Sequence, residues 1–233
     1  VVFYIITGGA ARNGRMQGGG RAGAPDGSRG VKFSVSTWRD YQESVLPPLL
    51  QSAQECFVQH GYHGTTTRTL ASRSGLSVAG LYHHYPSEQA ILVAIMQRAM
   101  EDLYLRSQGA LAEAGDRVED QLRLHIECLV LFHAYRSDLA FIAASEIRSL
   151  EEEARAAHIA ARDRQQIMLD GIVGRGVSEG FFSTEFPKET SRALVTMCTD
   201  VSQWYNNAGQ LKPEALALRY IAIALSSLGL VRP

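Results

Sequence analysis

Residues 65–92 read TTTRTLASRSGLSVAGLYHHYPSEQAIL, and the punctuation of this stretch decides the fold. Thr66 stands before a short apolar-periodic segment carrying Leu70 and Ala71, Gly75 follows it, and Ser77 opens a second segment stopped by Pro86. A hydroxyl before each segment can accept a helix's unpaired N–H, and glycine adopts a left-handed turn at the lowest cost. Two short helices joined this tightly form a helix-turn-helix, whose second helix fits the DNA major groove. In that second helix Leu81 and Tyr85 are four apart and mark the buried side. Val78, Ala79, Gly80, Tyr82, His83 and His84 are left to face outward.

Upstream, residues 39–60 begin the folded part and contain a first helix, with Pro47 and Pro48 in its opening turn, where a missing N–H costs nothing. Leu49, Leu50, Ala53, Phe57 and Val58 give it a core face, and Gly61 ends it. Downstream, Ser87 caps a fourth helix whose stripe of Ile91, Leu92, Ile95, Met96, Ala99 and Leu103 runs to about Gln108, before a break at Gly115. The remainder is helical by pattern, over about 117–135, 138–148, 150–176, 188–208 and 213–229. Gly171, Gly174 and Gly176 predict a bend or a close approach late in the third of these.

Composition narrows the class. The chain is 45% hydrophobic and 20% charged, which reads as soluble and globular, its three cysteines read as reduced thiols of a cytoplasmic protein, and no apolar run approaches the roughly 20 residues that cross a bilayer. The opening VVFYII precedes its basic residues, the wrong order for a secretory signal. Cys56, Cys128 and Cys198 are too scattered for a zinc site or a disulfide framework. Residues 1–36 hold nine glycines with Arg12, Arg15, Arg21, Arg29 and Lys32, and read either as a basic arm for DNA or as a tail without a role.

Over residues 45–92 the chain resembles the TetR family of bacterial transcriptional regulators. The resemblance is carried by Phe57, Gly61-Tyr62, Thr65-Thr66, Leu70-Ala71, Gly75-Leu76-Ser77, Leu81-Tyr82, Tyr85 and Ile91-Leu92. It implies an all-α, TetR-like fold. Residues 37–87 would form a three-helix helix-turn-helix domain, and 88–233 a larger helical domain for effector binding and dimerisation. It also implies a homodimer on double-stranded operator DNA, with Thr66, Arg68 and Ser77 near phosphate and Val78, Ala79, Tyr82, His83 and His84 on the DNA-facing helix. Three positions depart from the family pattern: Val78 and Glu88 where lysine is common, and Thr69 where an acid is common. Arg68, Arg73 or residues near Arg39 are expected to replace the lost phosphate contacts.

The stretches Ala144–Leu150 and Ser202–Tyr205 resemble actinobacterial repressors of steroid and acyl-coenzyme A breakdown. That resemblance implies a small-molecule effector, an acyl-coenzyme A thioester, that releases DNA. Phe132, Phe141, Met168, Met197 and Trp204 would line its cavity, with Arg148, Arg162 and Arg175 at the mouth. Leu194, Val201, Leu216, Tyr220, Ile223 and Leu228 recur densely enough on the last two helices to suggest a dimer interface.

Other classes remain open at this point: a TetR-type regulator of efflux or of another pathway with a different apolar ligand, and a helical interaction protein without DNA. Enzyme motifs are weak. Gly174-Arg175-Gly176 follows a helical pattern and has Glu179 where a dinucleotide loop needs glycine. His83 and His84 are adjacent and diverge on a helix, so they make no metal pair. Neither a catalytic residue nor a resident cofactor is expected.

Overall fold

The computed structural model describes residues 38–230, so the reading of residues 1–36 falls outside the described residues. Those described residues form nine α-helices and one turn of 3-10 helix, with no strand. The architecture is all-α: small N-terminal helices against a larger helical bundle.

α1 (Pro48–His60) starts as read, with Pro47 at its cap and Pro48 in the first turn, and Gly61 at φ +69° ends it. α2 (Thr67–Arg73) is capped by Thr66, which accepts from the Thr69 N–H. Gly75 then takes φ +66°, Leu76 donates to the Ala71 carbonyl at 2.9 Å and Gly75 to Ser72 at 3.2 Å. This paired closure absorbs two orphan carbonyls and aims the chain into the next helix. α3 (Val78–His84) is capped by Ser77 and ends where Tyr85 turns extended before Pro86.

α4 (Glu88–Ala114) is capped by Ser87 and is longer than its periodicity predicts. The expected end near Gln108 is corrected because Gly109 does not break the helix: the Trp38 side chain lies against it, within 3.1 Å of where a Cβ would stand. α5 (Val118–Tyr135) is the central rod, packed by α4, α7, α8 and α9. α6 (Ser137–Ser145) passes into the 3-10 turn Glu146–Ser149, which replaces the last part of the helix expected over 138–148. α7 (Glu152–Ser178) is the long helix, and the expected close approach occurs at Gly176, where a Cβ would fall 2.1 Å from the Phe182 ring.

α8 (Pro187–Trp204) stops four residues before the expected 208, because Tyr205 turns extended and its hydroxyl donates to the Leu211 carbonyl at 2.5 Å. α9 (Pro213–Ser227) closes the chain's described part. The interface reading of these two helices needs correction. Leu194, Val201, Leu216 and Leu228 are buried inside the protomer, and the apolar groups left outside are Leu218, Ile223 and Trp204. The pattern is dense because each helix serves the internal core and an outer face at once.

Apolar packing divides into two clusters. One joins α1, α2, Leu81 of α3 and the first half of α4 to Leu139, Ile142, Ala143 and Leu150, so α6 is built into the floor under the helix-turn-helix. The other surrounds α5. A strap of residues 38–46 connects them: Trp38 belongs to the second cluster and Leu46 to the first. Arg39 pins the strap's start by forking to Glu113 on α4 at 2.8 Å and Glu127 on α5 at 2.6 Å.

Candidate nucleic-acid interface and effector cavity

Thr66, Arg68, Ser77, Val78, Ala79, Tyr82, His83 and His84 are all exposed, on α2, α3 and the residues that cap them. Leu70, Ala71 and Leu81 lie buried behind them and hold the two helices to α1 and α4. The side of α3 turned to solvent therefore carries apolar groups at its start and aromatic and imidazole groups at its end. Val78 and Ala79 can touch a thymine methyl, and Tyr82 and His83 can exchange hydrogen bonds with base edges.

The cations expected to replace the missing lysines divide. Arg68 stands exposed beside Thr66. Arg73 pairs with Glu55 at 3.2 Å and with Gln59 at 3.4 Å, both on α1. Arg39 is held in its fork between α4 and α5 and is not at the helix-turn-helix, which corrects the expectation placed on it. Glu88, at the start of α4, accepts a hydrogen bond from the Thr67 hydroxyl, and Thr67 is also 3.2 Å from the Tyr82 hydroxyl.

Between α4 and α7 lies a cavity of about 440 Å³. Met96, Met100, Leu150, Ala157 and Ala161 give it apolar walls, and Gln97, Glu101, Tyr104, His158 and Arg164 supply its polar groups. The Arg164 guanidinium sits 4.1 Å over the Tyr104 ring at one edge. Burial, with Arg162 nearby, pushes the His158 imidazole down to about 4, so it is neutral at pH 7. Its Nε2, 3.0 Å from the Ala143 carbonyl, therefore donates to the last turn of α6.

None of the eight residues read as ligand-binding lines this cavity. Phe132 is in the α5 core with Met197 packed on it, while Phe141 and Met168 are half-buried on α6 and α7. Arg175 donates to Gln121 at 2.7 Å and faces Glu179 at 3.6 Å, tying α7 to the start of α5. Arg148 and Arg162 are exposed, and Trp204 is exposed at the end of α8. The structure does not gather them into one site. The signal that finds the cavity is Ala154, Ala157, Ala161 and Arg164, at three- and four-residue spacing on one side of α7. Among the described residues, no cluster of three or more His, Cys, Asp or Glu is placed to hold a metal.

Comparison with known proteins places this geometry. Residues 49–95 match the family described as bacterial regulatory proteins, tetR family, and residues 115–228 match the tetracyclin repressor-like C-terminal domain. The HTH-type transcriptional repressor KstR2 of Mycobacterium tuberculosis is 25% identical over 185 residues, 77% of this chain and 90% of that protein. The TetR family regulator PfmR of Thermus thermophilus is 30% identical, covering 77% of this chain and 98% of its own, with a TM-score of 0.72. AibR, solved with isovaleryl coenzyme A and operator DNA, is 22% identical over 78% of this chain and 97% of its own, with a TM-score of 0.68, a likeness of fold. With both parts matched and a relative at this identity along nearly its whole length, the chain belongs to the TetR family of ligand-responsive transcriptional regulators, and its C-terminal domain is related to that of KstR2.

Proposed function

We propose that this protein is a repressor of a catabolic operon, bound as a homodimer to a near-palindromic operator and released by a small-molecule effector. The effector class is an acyl-coenzyme A thioester from steroid or fatty acid breakdown. DNA contact is assigned to Thr66, Arg68, Ser77, Val78, Ala79, Tyr82, His83 and His84, all exposed on one small domain. We divide the chain as 37–87 for DNA and 88–233 for effector and dimerisation, with α8 and α9 meeting the second copy through Trp204, Leu218 and Ile223.

The observation that carries the reading is the cavity's place on α4. Its wall includes Val93, Met96 and Met100, on the helix whose first residue, Glu88, is bonded to α2. A ligand that parts α4 from α7 favours one tilt of α4. By linkage it must weaken DNA binding by the factor that DNA weakens ligand binding. KstR2, the relative matched over most of its length, is a ketosteroid regulator, and AibR carries a coenzyme A thioester, which supports the effector class. About 440 Å³ admits an acyl group and leaves a nucleotide outside.

A second reading, an efflux or other regulator answering to an apolar ligand without coenzyme A, is favoured by the cavity edge, where the one lining arginine, Arg164, already stacks on Tyr104. Thermal shifts and operator release measured with coenzyme A thioesters and with their free acids separate the two. Stabilisation by thioesters alone supports the first; equal responses support the second.

A further inference from the structure

The corner where α2, α3 and α4 meet fixes the polarity of one hydrogen-bonding group on the DNA-facing surface. The Thr67 hydroxyl donates to Oε1 of Glu88 and lies 3.2 Å from the Tyr82 hydroxyl. A hydroxyl has one proton, and a carboxylate has none to give. Thr67 therefore commits its proton to Glu88 and can only accept from Tyr82. The phenol in turn commits its proton to Thr67. What Tyr82 has left to offer, on a side chain 45% exposed, is lone pairs.

We infer that Tyr82 is an acceptor-only reader of the duplex, with Thr67 and Glu88 as the positioning residues that set its polarity. This rests on the assignment of α3 as the DNA-facing helix. In the major groove an acceptor selects an exocyclic amine, N6 of adenine or N4 of cytosine, and is repelled by the carbonyl oxygens of guanine and thymine. Phosphate oxygens accept only, so the same corner cannot serve as a phosphate seat. Glu88, standing where a cation would draw phosphate in, closes that use further.

The test is selection by the full-length protein from a random-sequence duplex pool, followed by binding to the four single-base variants at each position of the selected site. The wild type is expected to show one position per half-site that takes A or C on the contacted strand over G or T, by about fivefold or more. Tyr82→Phe is expected to erase that preference alone. Thr67→Val and Glu88→Ala free the phenol proton from opposite ends of the relay and are expected to admit G or T at the same position, while Thr67→Ser keeps the original choice. Circular dichroism of each variant establishes that it is folded. Three results overturn the inference: a Tyr82-dependent position that takes G or T, a Tyr82→Phe loss that is equal for all sequences, or an unchanged preference in folded Thr67→Val and Glu88→Ala. A pool that yields no consensus with the wild type overturns instead the DNA-reading role itself.

Discussion

Arg106 donates through Nε to Asp102, one turn earlier on α4, at 2.8 Å, and both side chains are withdrawn from solvent. The same guanidinium donates to the carbonyls of Trp38 and Asp40 at 2.7 and 2.8 Å, so a buried charge holds the strap to α4. Removing Arg106 leaves the buried Asp102 carboxylate facing only Arg136, 3.7 Å away, and frees the two strap carbonyls. Arg106→Ala is expected to lower stability by about 3–5 kcal/mol in urea denaturation. Arg39→Ala, whose partners share water with it, is expected to cost about 1 kcal/mol or less. Similar losses for both would show that burial is not what makes Arg106 matter.

Two nearby glycines on α7 are expected to respond with opposite signs. At Gly176 a Cβ meets the Phe182 ring, whereas at Gly174 it meets nothing within 4 Å. Gly174→Ala should stabilise by about 0.5–1 kcal/mol through the reduced entropy of the unfolded chain. Gly176→Ala should destabilise by about 1–3 kcal/mol through overpacking. Melting temperatures of the two variants check the pair.

Stability should fall on mild acidification. Burial pushes His125, His133 and His158 down to about 4 in the folded chain, below the ordinary value of 6.5. Between those values the unfolded chain binds more protons, so stability is whole above about pH 6.5 and is lost as pH falls toward 4. Each histidine contributes a slope of up to about 1.4 kcal/mol per pH unit. Denaturation midpoints at pH 7 and pH 5 test this, and equal midpoints would contradict it. His125, whose ring nitrogens have no partner, is the residue to replace, and His125→Leu should flatten the slope.

On the DNA side, His83→Ala is expected to weaken preference for the operator over random duplex while leaving the fold intact. Glu88→Lys is expected to tighten binding to random duplex and to steepen the dependence on salt by about one phosphate contact, and, because it also removes the acceptor of the Thr67 proton, to relax the choice at the Tyr82 position as Glu88→Ala does. Mobility shifts at two salt concentrations distinguish a change of specificity from a change of charge.

Filling the cavity separates effector response from DNA binding. Ala161→Leu places three more carbons between α4 and α7 and is expected to abolish release by the effector with operator affinity retained. Fluorescence anisotropy of labelled operator during an effector titration reads both quantities. Undiminished release would move the effector site elsewhere.

The helix-turn-helix is legible in the sequence because its boundaries are written locally: Thr66, Gly75, Ser77 and Pro86 each act within a turn of themselves. The ends of α4 and α8 are not: α4 runs through Gly109, where the missing Cβ leaves room for Trp38, far away in sequence, and beyond Trp204 the chain turns extended with the Tyr205 hydroxyl bonded to the Leu211 carbonyl. The cavity between α4 and α7 escapes the sequence for a related reason. Large side chains such as Phe132 and Met197 fill space and belong to the core, while a void between helices is lined by small ones such as Ala157 and Ala161. Residue type suggests what can touch a ligand; the helix face decides what does.

α4 is one uninterrupted rod of 27 residues, about 40 Å at 1.5 Å per residue. Pivoted at one end, such a beam converts a tilt of about 5° into a travel of about 3.5 Å at the other, close to the step from one base pair to the next. Angular play too small to disturb a single turn of helix is thus enough to throw a paired reading head out of phase with its track.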